Sequence, residues 1–136
     1  MAASAPRRSS TASLSKTYRA LAGVQPIKLR EGITSRAVNG ERMTLAVVDL
    51  EGGVVLPEHH HENEQLGFIL SGSMTMHIGG EERELRAGDT YTIPSHVSHD
   101  AVAGPDGCTA VDVFAPIRAD WEKLEHLNPS ASTRWP

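Results

Sequence analysis

From Ile27 onward the apolar residues of this chain recur in short runs separated by glycine, proline and asparagine. Ile33 to Val38 ends at Asn39-Gly40, a dipeptide that signals a two-residue hairpin, and Arg42 to Leu50 follows as a second strand. In that strand both parities are apolar, with Met43, Leu45 and Val47 on one side and Ala46, Val48 and Leu50 on the other. This predicts a strand covered on both faces. Ser73 to Ile78 alternates Met74, Met76 and Ile78 with Thr75 and His77, the period of a half-buried strand. Gly79-Gly80 then turns into Glu81 to Leu85, and residues 86–89 turn into Thr90 to Ile93. His99 to Ala103 and Thr109 to Phe114 flank a Gly- and Pro-marked loop at 104–107. Many short strands with such turns predict an all-β antiparallel barrel or sandwich. Pro116 ends the strands, and Asp120 to Leu127 reads as one short helix, with Asp120 as N-cap and Trp121, Leu124 and Leu127 on a stripe. That stripe is expected to dock on the barrel or on a second subunit. Asn128-Pro129 stops it, leaving a loose tail.

Charge divides the chain. Residues 1–30 carry Arg7, Arg8, Lys16, Arg19, Lys28 and Arg30 and no acid, so of the net charge of -4 the remainder carries -10 (7 basic minus 17 acidic residues). A basic segment therefore precedes an acidic body, which argues against a nucleic-acid-binding face on the folded domain. At 136 residues there is chain for one modest core. The organisation expected is a flexible basic tail over 1–25, a barrel over 26–118, and a short helix and tail over 119–136. The tail's Ala, Ser, Arg and Thr content fits a disordered segment and also the rough chemistry of an organellar transit peptide. No apolar run reaches the length of a membrane span or of a secretory signal, so the expected setting is cytoplasmic, with no membrane partner. Cys108 is the single cysteine, which excludes an intramolecular disulfide and reads as a small core residue.

One stretch does not read as core. Gly53 to Gly72 contains His59-His60-His61 and, after Glu62-Asn63-Glu64, Gln65. On an extended strand, side chains at i and i+2 share a face, so His59 and His61 can aim at one point while His60 faces away. Gln65 has the same parity, with a turn intervening at 62–64.

The spacing G-x5-H-x-H-x3-Q-x6-G over Gly53 to Gly72 resembles the first motif of the cupins, whose usual form has Glu where this chain has Gln65. Gly88 to His99, with Pro94, His96 and His99, resembles their second motif, G-x5-P-x-G-x2-H, with His96 in place of Gly. The resemblance covers residues 30–118. It implies a double-stranded β-helix, the jelly-roll barrel of small single-domain cupins, and a homodimer. It also implies one divalent transition metal, Fe, Mn, Ni, Zn or Co, held by His59, His61, Gln65 and His99 with positions left for water or substrate. Three imidazoles and a neutral amide leave the ion's full dipositive charge in place, which favours Lewis-acid chemistry over stabilisation of oxidised iron. His77 is expected to be a surface residue, His96 to lie in a loop or at the cavity mouth, and His126 to be peripheral.

Beyond the motifs, Asp112, Phe114 and Arg118 stand in the pattern D-x-F-x3-R. With the histidines and Gln65 this resembles the cupins of pectin and alginate breakdown, which convert 4,5-unsaturated uronates to linear keto forms. Carried over, Arg118 would clamp a substrate carboxylate, Asp112 would move a proton and Phe114 would form a wall. The plain alternative is a strand-end aspartate capping a turn, a core phenylalanine and a surface arginine paired with Asp120. Three functions follow as expectations: a Lewis-acid isomerase, tautomerase or lyase acting on a small oxygenated acid; a non-haem metal-dependent dioxygenase; and a module that binds or senses a metal or small molecule without turnover.

Overall fold

A computed structural model describes residues 17–131 and 133–135, so the basic segment over 1–16 lies outside the described residues. The described residues form nine strands: β1 (Ile27–Arg30), β2 (Ile33–Asn39), β3 (Thr44–Leu50), β4 (Val55–His59), β5 (Glu64–Ile78), β6 (Glu81–Arg86), β7 (Thr90–Ile93), β8 (His99–Ala115) and β9 (Glu125–His126). All pair antiparallel, in the order β6-β5-β8-β3-β2-β1-β9, with β4 also on β8 and β7 also on β5. This is the all-β jelly roll expected. Among the described residues no helix is long and apolar enough to cross a membrane.

The expected strands are present, but the loop expected at 104–107 is a bend inside a long strand. Ser71-Gly72 and residues 104–107 interrupt the pairing of β5 with β8, whose register jumps from Gly72↔Cys108 to Met74↔Ala103. Gly72 sits at φ 77°, and a Cβ there would lie 2.1 Å from the Gly107 carbonyl, so glycine is what lets the two strands bend together. Asn39-Gly40 does reverse the chain, but through a four-residue loop closed by Gly40 N–H donating to the Met43 carbonyl at 2.8 Å. In β3 every residue except Leu45 is buried, as the double apolar parity predicts.

The core joins Ile33, Val48, Leu50, Ile69, Met74, Met76 and Ile93, among others, between the two halves of the roll. Cys108 is fully buried in it, and burial pushes its thiol up to about 11, consistent with an inert core residue.

Residues 17–25 and the described residues after Pro116 differ from expectation. The helix anticipated over 120–127 is a 3-10 turn, Ala119–Lys123, with no side-chain cap, and the chain then becomes β9. The reason is competition. Residues 125–127 find backbone partners on the open edge of β1, where Leu127 N–H donates to the Pro26 carbonyl at 2.7 Å, while eight residues make only a marginal helix. Residues 134 and 135 are not loose: Trp135 N–H donates to Asp49 Oδ2 at 3.0 Å and Arg134 Nη1 to the Asp106 carbonyl. Ahead of β1, a 3-10 turn at Leu21–Gly23 is fixed by Arg36, whose guanidinium donates to the carbonyls of Leu21, Ala22, Val24 and Pro129.

Candidate metal centre

His59 ends β4 opposite His99, the first residue of β8. The pairing is irregular between Leu56 and His59, where Pro57 has no N–H to give to the ladder. His61 lies past the strand end and is positioned by its backbone, whose carbonyl accepts from His96 N–H at 2.8 Å. The second motif is thereby tied to the first. The three imidazoles meet with ring centroids 5.7 Å (His59–His61), 4.2 Å (His59–His99) and 4.9 Å (His61–His99) apart. One nitrogen from each lies within 4.8 Å of the others.

The tautomers follow from the partners. Nδ1 of His59, His61 and His99 faces the carbonyl of Pro57, Asn63 and Val97 respectively, each at 2.9 Å. A carbonyl only accepts, so each Nδ1 carries the proton and each Nε2 keeps its lone pair. His126 makes the same contact with the Leu124 carbonyl, but it stands alone on the exposed β9. Convergence is therefore what sets the first three apart. His61 Nε2 is buried with no hydrogen-bond partner, an acceptor left open at the centre of the group. Burial lowers the pKa of His61, and it takes His99 down to about 4, so both rings are neutral at physiological pH. Three converging imidazoles whose Nδ1 atoms face carbonyls, one of them with Nε2 orphaned by burial, are a donor set suited to a divalent transition metal.

Gln65 enters from β5, buried, and Nε2 of its amide donates to Asp112 Oδ1 at 3.2 Å. The amide lies close enough to His61 to favour the protonated ring, without completing a hydrogen bond to Nε2. With its nitrogen spent on Asp112, the carbonyl oxygen is the end of Gln65 left for a ligand role.

Asp112 lies mid-strand in β8 and is not a turn cap. It is 4% exposed, and Oδ1 accepts from Tyr91 O–H at 2.6 Å as well as from Gln65. Burial pushes its carboxyl up to about 6 against the opposing pull of these two donors and of the Arg118 charge. The Tyr91 hydroxyl is raised well above its usual value, first by burial and then by Asp112, and stays a neutral donor. Gly67 makes room for this pair, since a Cβ there would lie 2.2 Å from Asp112 Oδ1 and 2.5 Å from the Tyr91 ring.

Phe114 shares Asp112's face, with its ring 5.9 Å from His61 and 5.2 Å from Trp121. The Arg118 guanidinium lies over Phe114 (4.8 Å) and Trp121 (4.5 Å) and makes a two-point pair with Asp120 through Nε (3.1 Å) and Nη2 (2.9 Å). The pairing with Asp120 belongs to the plain alternative, yet Arg118 is no surface residue: its side chain is 11% exposed. Nη1 takes part in no hydrogen bond among the described residues.

His59, His61, Gln65, His99, Asp112, Phe114 and Arg118 all line one cavity of about 530 Å³ inside the barrel. Sequence reasoning missed Tyr91 and the contact of Trp121 with Arg118. Tyr91 shares the inward parity of Ile93 in Thr90-Tyr-Thr-Ile93, a signal that was available. The other histidines stand apart from this cavity: His60 and His96 are exposed, and His77 is half-exposed between Glu82 and Asp100. His96 has φ 66°, which explains why the motif usually has Gly there.

The chain matches the cupin domain family over residues 46–114. It is 29% identical over 96 residues to the pectin degradation protein KdgF of Dickeya dadantii, covering 69% of this chain and 87% of that protein. With the dimethylsulfoniopropionate lyase DddW of Ruegeria pomeroyi it shares 33% identity over 84 residues, 62% of this chain and 54% of the lyase, so it spans about half of that relative. The solved structure of KdgF from Halomonas sp. is similar with a TM-score of 0.66 at 30% identity, covering 70% of this chain and 88% of that one. An RmlC-like cupin from Shewanella frigidimarina, with a TM-score of 0.67 at 24% identity over 71% of this chain and 87% of its own, speaks to the fold alone. Two motifs, a jelly roll that brings their histidines together and a family match over half of the chain lead to one statement: this protein belongs to the cupin family.

Proposed function

We propose that this protein is a metal-dependent cupin enzyme of isomerase, tautomerase or lyase type, acting on a small oxygenated carboxylate, with 4,5-unsaturated uronates as the first substrates to test. The observation that carries the reading is that three Nε2 lone pairs share one cavity with a buried carboxyl and a guanidinium. His59, His61 and His99, with the carbonyl oxygen of Gln65, would hold one divalent ion. When bound, the ion supplies Lewis-acid polarisation of a substrate oxygen.

The chain's own residues supply the rest. Arg118, held over Phe114 and Trp121, offers Nη1 to a substrate carboxylate. Arg30 and Lys123 also line the cavity, so an anion meets positive charge on an otherwise acidic body. Asp112 keeps Oδ1 on Tyr91 and Gln65, which leaves Oδ2 to exchange a proton. For an unsaturated uronate, the proton of the anomeric hydroxyl leaves as the ring C–O bond opens. A proton is delivered to carbon 4 of the former double bond, so the reaction is an isomerisation with no atom gained or lost. A carboxyl poised near 6 suits both transfers at neutral pH.

Similarity to the pectin degradation protein KdgF supports the uronate reading. Similarity to DddW, a dimethylsulfoniopropionate lyase, supports a second one, elimination from a small carboxylate in the same site. Both need a proton moved on the substrate's carbon chain.

The test is elemental analysis of the purified protein beside His61→Ala, followed by assay of the loss of the ultraviolet absorbance of an unsaturated uronate. About one equivalent of zinc, nickel or manganese in the first protein, little in the second, and metal-dependent turnover are expected. Iron together with metal-dependent oxygen uptake would replace this reading with a dioxygenase. Absence of metal from both proteins, even after incubation with it, would overturn it in favour of a binding module.

A further inference from the structure

The cavity is chemically lopsided. Its polar groups gather at one end, around His59, His61, His99, Asp112 and Arg118. Along the remaining wall stand Leu29 of β1, Leu50 of β3, Leu56 of β4, Met74 and Met76 of β5, and Leu124 after the 3-10 turn. The strands carry this wall away from the imidazoles. His59 pairs with His99, and one step along the same ladder Leu56 pairs with Ala101, two residues further on β8 and thus roughly 7 Å away. Met76 meets Ala101 from the other side. Apart from Arg30, Lys123 and Asp120, the last paired with Arg118, no charged group outside the polar end lines the space. The volume of about 530 Å³ exceeds what a carboxylate and its reacting carbons occupy.

A sugar acid carrying hydroxyls on most carbons would have to strip water from them against leucine and methionine, without replacement hydrogen bonds. An alkyl or aryl group gains from the same contact, and flexible methionines let the wall adapt to its shape. We infer that the ligand of this site is an amphiphilic carboxylate, with its acid group at Arg118 and an apolar alkyl or aryl portion laid along the wall formed by Leu29, Leu50, Leu56 and Met74. The inference rests on the proposed reading of the polar end as a carboxylate and metal site, and it departs from that reading in one respect, ranking an alkyl or aryl acid ahead of the hydroxylated uronates as the substrate of that site.

Isothermal titration calorimetry of the full-length, zinc-loaded protein with acetate, propanoate, butanoate, hexanoate and phenylacetate separates the two. Affinity is expected to rise about three- to four-fold with each methylene up to hexanoate. Arg118→Ala should weaken every acid alike, whereas Leu56→Gln should flatten the series and leave acetate unchanged. Leu29→Gln, on a different strand and also half-buried, repeats the second test should the first variant fail to fold. Equal affinity for all five acids, still sensitive to Arg118→Ala, would overturn the amphiphile while leaving the carboxylate site standing. No binding of any acid, with no effect of Arg118→Ala, would overturn both.

Discussion

Arg36 and Asp112 are each 4% exposed, and the fold treats them in opposite ways. Every acceptor around the Arg36 guanidinium is a backbone carbonyl, from Leu21, Ala22 and Val24 ahead of β1 and Pro129 after β9. Burial lowers its pKa, opposed by the charge of Asp49, and the residue does not line the cavity. It fastens both terminal segments to the sheet. Asp112 instead spends one oxygen on Tyr91 and Gln65 and keeps the other free beside a cavity. A buried charge is thus a fastener where backbone carbonyls take up its donors, as they do at both terminal nitrogens of Arg36 while its Nε stays buried without a partner, and a reagent where the open atom faces ligand space.

The sharpest break of this contrast is Asp112→Asn. Turnover of the test carboxylate is expected to fall about 10²- to 10⁴-fold with metal content retained and Tm moved by only a few degrees. Initial rates and a thermal melt read this, and a collapse of Tm with intact residual chemistry would make Asp112 a second fastener. Arg36→Met should do the reverse. It leaves buried carbonyls without donors and should lower unfolding free energy by about 3 kcal/mol in a urea titration, with metal stoichiometry unchanged in the folded protein.

The pH dependence of stability in the metal-free protein sharpens the contrast further. His99, taken from 6.5 to about 4, contributes stability that is present above 6.5 and lost as pH falls toward 4. Asp112, raised from 3.8 to about 6, contributes stability that is present below 3.8 and lost as pH rises through 6. Between 4 and 6 the two slopes oppose and nearly cancel. In Asp112→Asn the His99 slope loses its opponent and the lowered His61 adds to it in the same direction, so stability should climb by at least about 1.4 kcal/mol per pH unit over that window. A flat profile in the variant would show that His99 is not held neutral.

The smallest effect belongs to a third kind of stored cost, in backbone rather than charge. His96→Gly relieves a left-handed φ of 66° and should stabilise the protein by about 1 kcal/mol, seen as a small rise in urea midpoint with unchanged activity.

Much of the site was legible before the fold. The shared face of Asp112 and Phe114 is a local pattern that periodicity records directly. The His59 and His61 pair was visible as a short spacing, although His61 lies past the end of β4 and not on the strand, and His99 was singled out by the resemblance of the second motif. The role of Arg36 was not legible, because its partners are carbonyls from residues 12 to 93 positions away and carry no side-chain signature. Tyr91 escaped for a related reason: its inward parity was visible, but its hydroxyl finds Asp112 only once β5 has brought β7 and β8 to either side of Gly67. The C-terminal helix misled because its amphipathic stripe is real while the edge of β1 offers those same residues better backbone partners.

The length of β8 has a consequence for biosynthesis. This one strand pairs with β3, β4 and β5, and it begins at residue 99. A ribosome releases the chain from its N-terminal end, so for most of translation the emerging segment holds His59 and His61 without their third companion, and β3 and β4 without the neighbour that joins them. Neither the barrel nor a three-imidazole site can close until residues 99–115 are outside the tunnel. The three imidazoles thus come together only after β8 has emerged, and a truncation before residue 99 would leave His59 and His61 without His99 and β3, β4 and β5 without the strand that joins them.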